Sequence, residues 1–134
     1  MERNYFVCSV GQPDKNYDTE NLNRCILNNC FVLNELNIQK GSISEIKNGD
    51  ILILKYKEHF FAYGRAISAL STEKDLSDGD CWNWRIDVNI WITGNHIHRY
   101  GIKEAQESGN SYETVKKISR EFALKKIEEI GFPF

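Results

Sequence analysis

Three tryptophans, Trp82, Trp84 and Trp91, lie within a stretch of ten residues, and the chain has none elsewhere. A flat aromatic ring can stack on a nucleic-acid base, and each such contact stabilises a complex by roughly 1–3 kcal/mol. Trp82 lies where a polar segment meets an alternating one, so its backbone need not continue the pleat of a strand. Trp84 shares the two-residue period of Ile86, which predicts a buried ring. We therefore predict that Trp82 contributes to a binding site.

The charge balance limits the kind of partner. The chain has 134 residues and a formal net charge of −2 at pH 7. A protein that grips a long nucleic acid through its phosphates is usually strongly basic, so only local contacts are expected here. Lys116, Lys117 and Arg120 form one candidate phosphate-binding cluster. The alternative interpretation is that they belong to a solvated helix face.

The residue pattern does not indicate an enzyme. It contains no recognisable nucleophile beside a base, no catalytic pair of carboxylates and no glycine-rich phosphate loop. The four cysteines include no C-x-x-C pair, which disfavours a zinc site, and reduced thiols are expected. We therefore predict no catalytic residues, no metal and no cofactor.

Hydrophobic periodicity and turn residues predict the elements that must position these side chains. The predicted elements are a strand (4–10), a helix (19–28), a mostly irregular segment (30–49), a two-stranded hairpin (51–68), a polar loop (69–81), a strand with one buried face (84–92) and a terminal helix (110–130). This order of strands and helices favours an α+β fold around a curved, mainly β core.

The length is suited to one compact domain, which we predict to span residues 1–134. No run approaches the roughly 18 apolar residues of a membrane helix, and the N-terminus lacks the apolar segment of a secretory signal. A soluble, cytoplasmic protein with no membrane partner is the expectation.

Two segments resemble the YTH domains. The first reads CWNWRIDVNIW, in which Trp82, Arg85, Asp87 and Val88 fit the register of a pocket tryptophan and its neighbours. The second reads ENLNRCILNNCF, in which Phe31 stands where the family has another pocket tryptophan. The hairpin is similar to the central strands of YTH domains and of the related EVE domains. The resemblance covers about residues 4–102.

The resemblance implies a PUA-like fold, in which a curved sheet or open barrel is flanked by helices. It also implies a reader that holds a flipped-out, N-methylated base, such as N6-methyladenine, in an aromatic pocket. Trp82 and Phe31 would form its walls, and Asn21 and Tyr17 would contact the base edge. Apart from the resemblance, we expect Arg85 or the cluster near the C-terminus to hold flanking phosphates. The partner would be single-stranded or flipped-base RNA or DNA.

This chain departs from the YTH pattern at one wall. YTH domains have a further tryptophan shortly before the position of Trp82, whereas residues 76–81 contain no aromatic side chain. A cage that lacks one wall is expected to discriminate less sharply, or to accept a different or bulkier base. A second interpretation stays open, in which the same pocket binds a small-molecule nucleotide or a protein within a phage-defence or toxin-antitoxin system.

Overall fold

The structure, a computed structural model, describes residues 3–10, 18–56, 59–76, 79, 81–93, 102–103 and 114–131. Its strands and helices are β1 (Tyr5–Val10), α1 (Asp18–Asn28), β2 (Cys30–Asn34), β3 (Ile51–Tyr56), β4 (His59–Arg65), β5 (Trp82–Asp87), β6 (Ile92–Thr93), β7 (Ile102–Lys103), β8 (Val115–Ile118) and α2 (Arg120–Gly131). Neither helix has the length and apolar character needed to cross a membrane, as far as the described residues go.

The described strands form two sheets. The larger one has six strands in the order β6-β4-β3-β1-β8, with β7 also pairing with β4. Strands β1 and β3 are parallel, whereas β1 pairs with β8, and β3 with β4, in antiparallel fashion. The second sheet is an antiparallel ribbon of β2 and β5. The predicted α+β class is therefore confirmed, with a mixed sheet as its main element.

Alternation along β1 divides the core into two parts. Phe6 and Cys8 lie in the larger cluster, which also takes in α1, the β2–β5 ribbon and Trp91. Tyr5 and Val7 point to the opposite side and pack in a smaller cluster with Ala123 and Ile130 of α2. Because successive side chains of a strand face opposite ways, one apolar strand serves both layers. The ribbon and α1 thus lie on the face of the sheet away from α2.

Several predicted elements are confirmed. The strand at 4–10, the helix at 19–28 and the hairpin correspond to β1, α1 and the β3–β4 pair. Helix α1 ends at the predicted Asn-Asn step, where Asn29 has a φ of 48°. Asparagine tolerates this left-handed conformation better than most residues, which explains why the helix stops there.

Two predictions along the chain were wrong. Residues 30–49 were expected to be mostly loop, yet Cys30–Asn34 forms β2. Its four buried residues are too few to display a period, and the pairing with β5 decides their conformation. The terminal helix was predicted over residues 110–130, yet Val115–Ile118 is a strand at the sheet edge and α2 begins at Arg120. The Ser119 hydroxyl caps α2 by accepting a hydrogen bond from the Phe122 N–H.

The strand predicted at 84–92 is shorter than expected. Strand β5 ends at Asp87, and Ile90 and Ile92 are 54% and 41% exposed. The side-chain oxygen of Asn89 accepts hydrogen bonds from the N–H groups of Arg65 and Ile90. These side-chain bonds interrupt the regular ladder of a strand, so the alternation seen in the sequence does not continue as one buried face.

Candidate functional site

Trp82 is the first residue of β5, and its backbone is held by the loop before it. The Asp75 carboxylate accepts hydrogen bonds from the N–H groups of Cys81, at 3.2 Å, and Trp82, at 3.1 Å. The Trp82 carbonyl accepts one from the Leu76 N–H at 2.9 Å. The ring itself is half-buried. The position of this ring is therefore defined, although part of its surface faces solvent.

A β-bulge separates Trp82 from Trp84. Trp84 lies opposite Leu33 and Trp82 lies opposite Asn34, so the register shifts by one residue between Leu33 and Asn34. Two residues two positions apart normally share a face, and one inserted residue reverses that relation. The register thus places Trp82 on the face of Arg85 and Val32, and Trp84 on the face of Ile86. As expected at this junction, the pleat does not continue.

Helix α1 supplies the neighbour of the Trp82 ring. The Arg24 guanidinium carbon lies 5.1 Å from the ring centroid, which is the distance of a cation–π contact. Guanidinium is planar and delocalised, so it stacks on an aromatic face much as a second ring would. Sequence reasoning missed Arg24, although it lies three positions after Asn21, on the same face of a helix.

Asn21 lies one turn before Arg24, at the interface of α1 with β2. Its side chain is buried, with 4% exposure. The amide nitrogen donates a hydrogen bond to the Val32 carbonyl at 3.3 Å. The amide oxygen is also buried and accepts no hydrogen bond from any residue that the structure describes. The structure therefore places the predicted base-edge residue in the contact between α1 and β2, with its side chain buried.

Arg85 lies on the same face of the ribbon as Trp82, and Asp87 partly neutralises its positive charge. The Arg85 Nε atom lies 2.6 Å from Asp87 Oδ1, and the arginine side chain is 20% exposed. Both residues influence Cys30, which pairs with Asp87 across the ribbon. Burial raises the pKa of the Cys30 thiol to about 11, the positive charge of Arg85 opposes this rise, and Asp87 adds to it. We name Asn21, Arg24, Trp82 and Arg85 the α1/β5 site.

Phe31 is not brought together with Trp82. It lies opposite Ile86, on the face of Trp84, and is 0% exposed within the larger core cluster. A ring with no accessible surface cannot contact a base, so the predicted pair of walls does not form in this structure. The bulge is the physical reason, because it turns Trp82 away from the Phe31 face. Tyr17, the other predicted base-edge residue, lies outside the described residues.

The three predicted phosphate-binding residues near the C-terminus do not form one helix face. Lys116 and Lys117 are neighbours on strand β8, opposite Val7 and Phe6 of β1, so they point to opposite sides. Arg120 begins α2 and is exposed. Strand β8 is at the edge of the larger sheet, whereas Trp82 belongs to the ribbon. The predicted cluster rested on a helical spacing that the chain does not adopt at Lys116 and Lys117.

The other two tryptophans, Trp91 and Trp84, contact groups that belong to the framework of the fold. Trp91 is 7% exposed, and its indole N–H lies 3.1 Å and 2.9 Å from the carbonyls of Cys25 and Cys30, the acceptors of its hydrogen bonds. Trp84 was predicted to be buried but is half-buried, as Trp82 is, and the Lys40 ammonium lies over it, 4.5 Å from the ring centroid. The same ammonium donates to the Glu35 carbonyl at 2.7 Å and to that of Asn37 at 2.5 Å. No sequence pattern predicts this contact between Lys40 and Trp84, which are 44 positions apart.

The described residues offer no group of three or more His, Cys, Asp or Glu side chains that could hold a metal ion. None of the four cysteines forms a disulfide, and three of them, Cys8, Cys25 and Cys30, are buried. Burial raises the pKa of each of the three. A thiol held in its neutral form is a poor nucleophile and a poor metal ligand, so these side chains act as small core residues.

Comparison with known proteins gives a fold neighbour and no family. No protein-family model matches the chain, and no curated protein matches it. Among solved structures, the NMR structure of Rpa0253 from Rhodopseudomonas palustris, a structural genomics target, is similar with a TM-score of 0.55 and 8% sequence identity. The alignment covers 96% of this chain and 93% of that one. At this identity, the similarity shows that the two chains share a fold over nearly their whole length.

Proposed function

We propose that this protein is a non-enzymatic binding module that stacks a swung-out nucleic-acid base, N-methylated in its preferred ligand, on Trp82. The observation that carries the proposal is the half-buried Trp82 ring beside the planar Arg24 guanidinium, 5.1 Å away. Stacking suits an acidic protein, because base–aromatic contacts contribute roughly 1–3 kcal/mol each without a broad basic surface. The PUA-like fold, with its relation to YTH and EVE domains, is part of the same proposal.

Arg24 takes the place of the second wall in this proposal. Stacked layers in nucleic acids are about 3.4 Å apart, so a base between two planes needs a separation of about 7 Å. The guanidinium must therefore move outward by about 2 Å to admit a base. An arginine on a helix can make this movement by rotating its side chain, and it then encloses the base from the side opposite Trp82.

The surrounding charges support contacts with a few nucleotides only. Arg85 is partly neutralised by Asp87, so together with Arg24 it provides one or two cations near the ring. Each neutralised phosphate releases about one counterion, which predicts a shallow dependence of affinity on salt. A single strand is favoured over a duplex as the ligand, because unstacking a paired base costs a few kcal/mol.

The experiment is a titration of fluorescently labelled single-stranded RNA and DNA, with one central adenine or cytosine methylated or unmethylated, followed by anisotropy. We expect binding that prefers a methylated base, weakens with salt and falls by roughly 5- to 150-fold in Trp82→Ala. The matched control is Trp84→Ala, which should retain the affinity. A protein that binds no oligonucleotide, or binds free mononucleotides equally well, would contradict the proposal, and the latter result would favour the small-molecule alternative.

A further inference from the structure

The segment that follows β2, residues 34–40, holds two large aliphatic side chains in solvent. Leu36 is 76% exposed and Ile38 is 94% exposed. A single exposed aliphatic residue is common on protein surfaces and indicates no function. Two of them within three residues, on a segment whose backbone is held by hydrogen bonds, form a candidate contact surface. We name this segment the 34–40 loop.

Side chains of the 34–40 loop hold its own backbone in place. The side-chain oxygen of Asn34 accepts a hydrogen bond from the Leu36 N–H at 2.9 Å, and that of Asn37 accepts one from the Gln39 N–H at 2.6 Å. The Lys40 ammonium donates to two further carbonyls of the same loop. A backbone that is already ordered loses little conformational entropy when its side chains contact a ligand.

The 34–40 loop lies beside the α1/β5 site. Asn34 is opposite Trp82 in the ribbon, and the Glu35 N–H donates a hydrogen bond to the Cys81 carbonyl at 2.9 Å. Leu36 is two residues beyond Asn34, so its Cα atom is at most about 13 Å from that of Trp82. At the rise of about 3.4 Å between stacked bases, this distance spans no more than about four nucleotides. Nucleotides next to a base on Trp82 are therefore within reach of the loop.

The small size of this surface favours a ligand that is already held nearby. A stable protein complex, including a dimer, buries about 800 Å² on each partner, and two side chains supply only a small part of that area. A strand held at Trp82 makes its second contact within one complex, without a second cost of association. We infer that Leu36 and Ile38 pack against the apolar parts of a nucleotide that neighbours the stacked base; this inference rests on the proposed function. It makes the ligand a strand rather than a mononucleotide.

The test combines a change in the ligand with a change in the protein. One labelled DNA strand carries N6-methyladenine between thymines, and a second has abasic sites in place of the flanking thymines. We expect the wild type to bind the first strand about fivefold more tightly, and the double variant Leu36→Ser, Ile38→Ser to bind both alike. The matched control is Leu124→Ser, an exposed position of α2 on the other side of the sheet, which should keep the preference. Circular dichroism establishes that the variants are folded, and the two single substitutions repeat the test for each side chain.

The outcomes separate the inference from the proposed function. If binding depends on Trp82 but the double variant keeps the preference of the wild type, or the wild type has none, only the inference fails. If Trp82→Ala binds as well as the wild type, or neither strand binds, the proposed function fails and the inference fails with it. Because the preference compares two ligands on one protein, any effect of the abasic sites on the strand itself is the same for every variant.

Discussion

Trp82 and Trp84 are two positions apart, and each has a cation over its ring, yet their surroundings differ. Lys40 covers Trp84 and is tied to two backbone carbonyls, so this ring is part of a closed structural contact. Arg24 covers Trp82 from helix α1, on which Asn21, one turn earlier, has a buried amide oxygen with no hydrogen-bond partner among the described residues. A cation over an aromatic ring is therefore not in itself a sign of a site.

The difference arises from one inserted residue. Without the bulge between Leu33 and Asn34, the two tryptophans would share a face, and Trp82 would lie on the side of Phe31. With it, Trp82 turns towards α1. A local irregularity of the ribbon thus converts one of two equivalent rings into a candidate ligand contact.

The largest expected effect concerns Trp91, the tryptophan that is buried in the core. Trp91→Ala should lower the free energy of unfolding by about 4 kcal/mol, because it removes a buried ring and leaves the carbonyls of Cys25 and Cys30 without their donor. Trp82→Ala should cost considerably less, since its ring is only half-buried. Urea unfolding followed by circular dichroism measures both, and equal losses would place Trp82 in the core as well.

A second prediction concerns the Cys30 thiol on β2, the strand that pairs with the strand of Trp82. The pKa of Cys30 is raised from its ordinary value of 9.0 to about 11, so the folded state holds a proton that the unfolded chain releases. Stability should therefore fall as pH rises from 9 to 11, by about 1.4 kcal/mol per pH unit from this group once the unfolded thiol is ionised. Urea unfolding at pH 9.5 and 10.5 should show a smaller fall in Cys30→Ala. Identical falls in both proteins would mean that Cys30 is not shielded.

A smaller effect is expected when the cation over each ring, Arg24 over Trp82 or Lys40 over Trp84, is replaced. Arg24→Lys keeps the charge but loses the planar group, so affinity for an oligonucleotide should drop about fivefold. Lys40→Met covers Trp84 with a similar chain and should leave the affinity unchanged. The anisotropy titration described above measures both variants. A larger loss for Lys40→Met than for Arg24→Lys would reverse the assignment of the two rings.

The sequence correctly predicted those elements whose local residue pattern and tertiary contacts favour the same conformation. The α+β class, strand β1, helix α1 and the β3–β4 hairpin follow from apolar runs, spacing and turn residues. Strands β2 and β8 were missed because each is short and its conformation depends on a partner far along the chain. Val115 and Ile118 also fit a helical spacing, so the local pattern favoured the wrong element.

The sequence selected one residue of the candidate site and missed another. Trp82 was selected because it lies at a junction; it is half-buried beside α1, and its role in binding stays a prediction. Phe31 was selected by resemblance, and no local pattern reveals that a bulge places it on the other face. Arg24 could have been found from its helical spacing to Asn21. The contact between Lys40 and Trp84 could not, because it depends on the path of an irregular segment.

The central claim is that Trp82, and not Trp84, contacts the bound base. Intrinsic fluorescence tests it most directly, because Trp84→Phe retains Trp82 as reporter and Trp82→Phe retains Trp84, with Trp91 common to both. Titration with an oligothymidylate that carries one N6-methyladenine should quench Trp84→Phe as strongly as the wild type and leave Trp82→Phe almost unquenched. Equal quenching of both variants, or quenching confined to Trp82→Phe, would contradict the account.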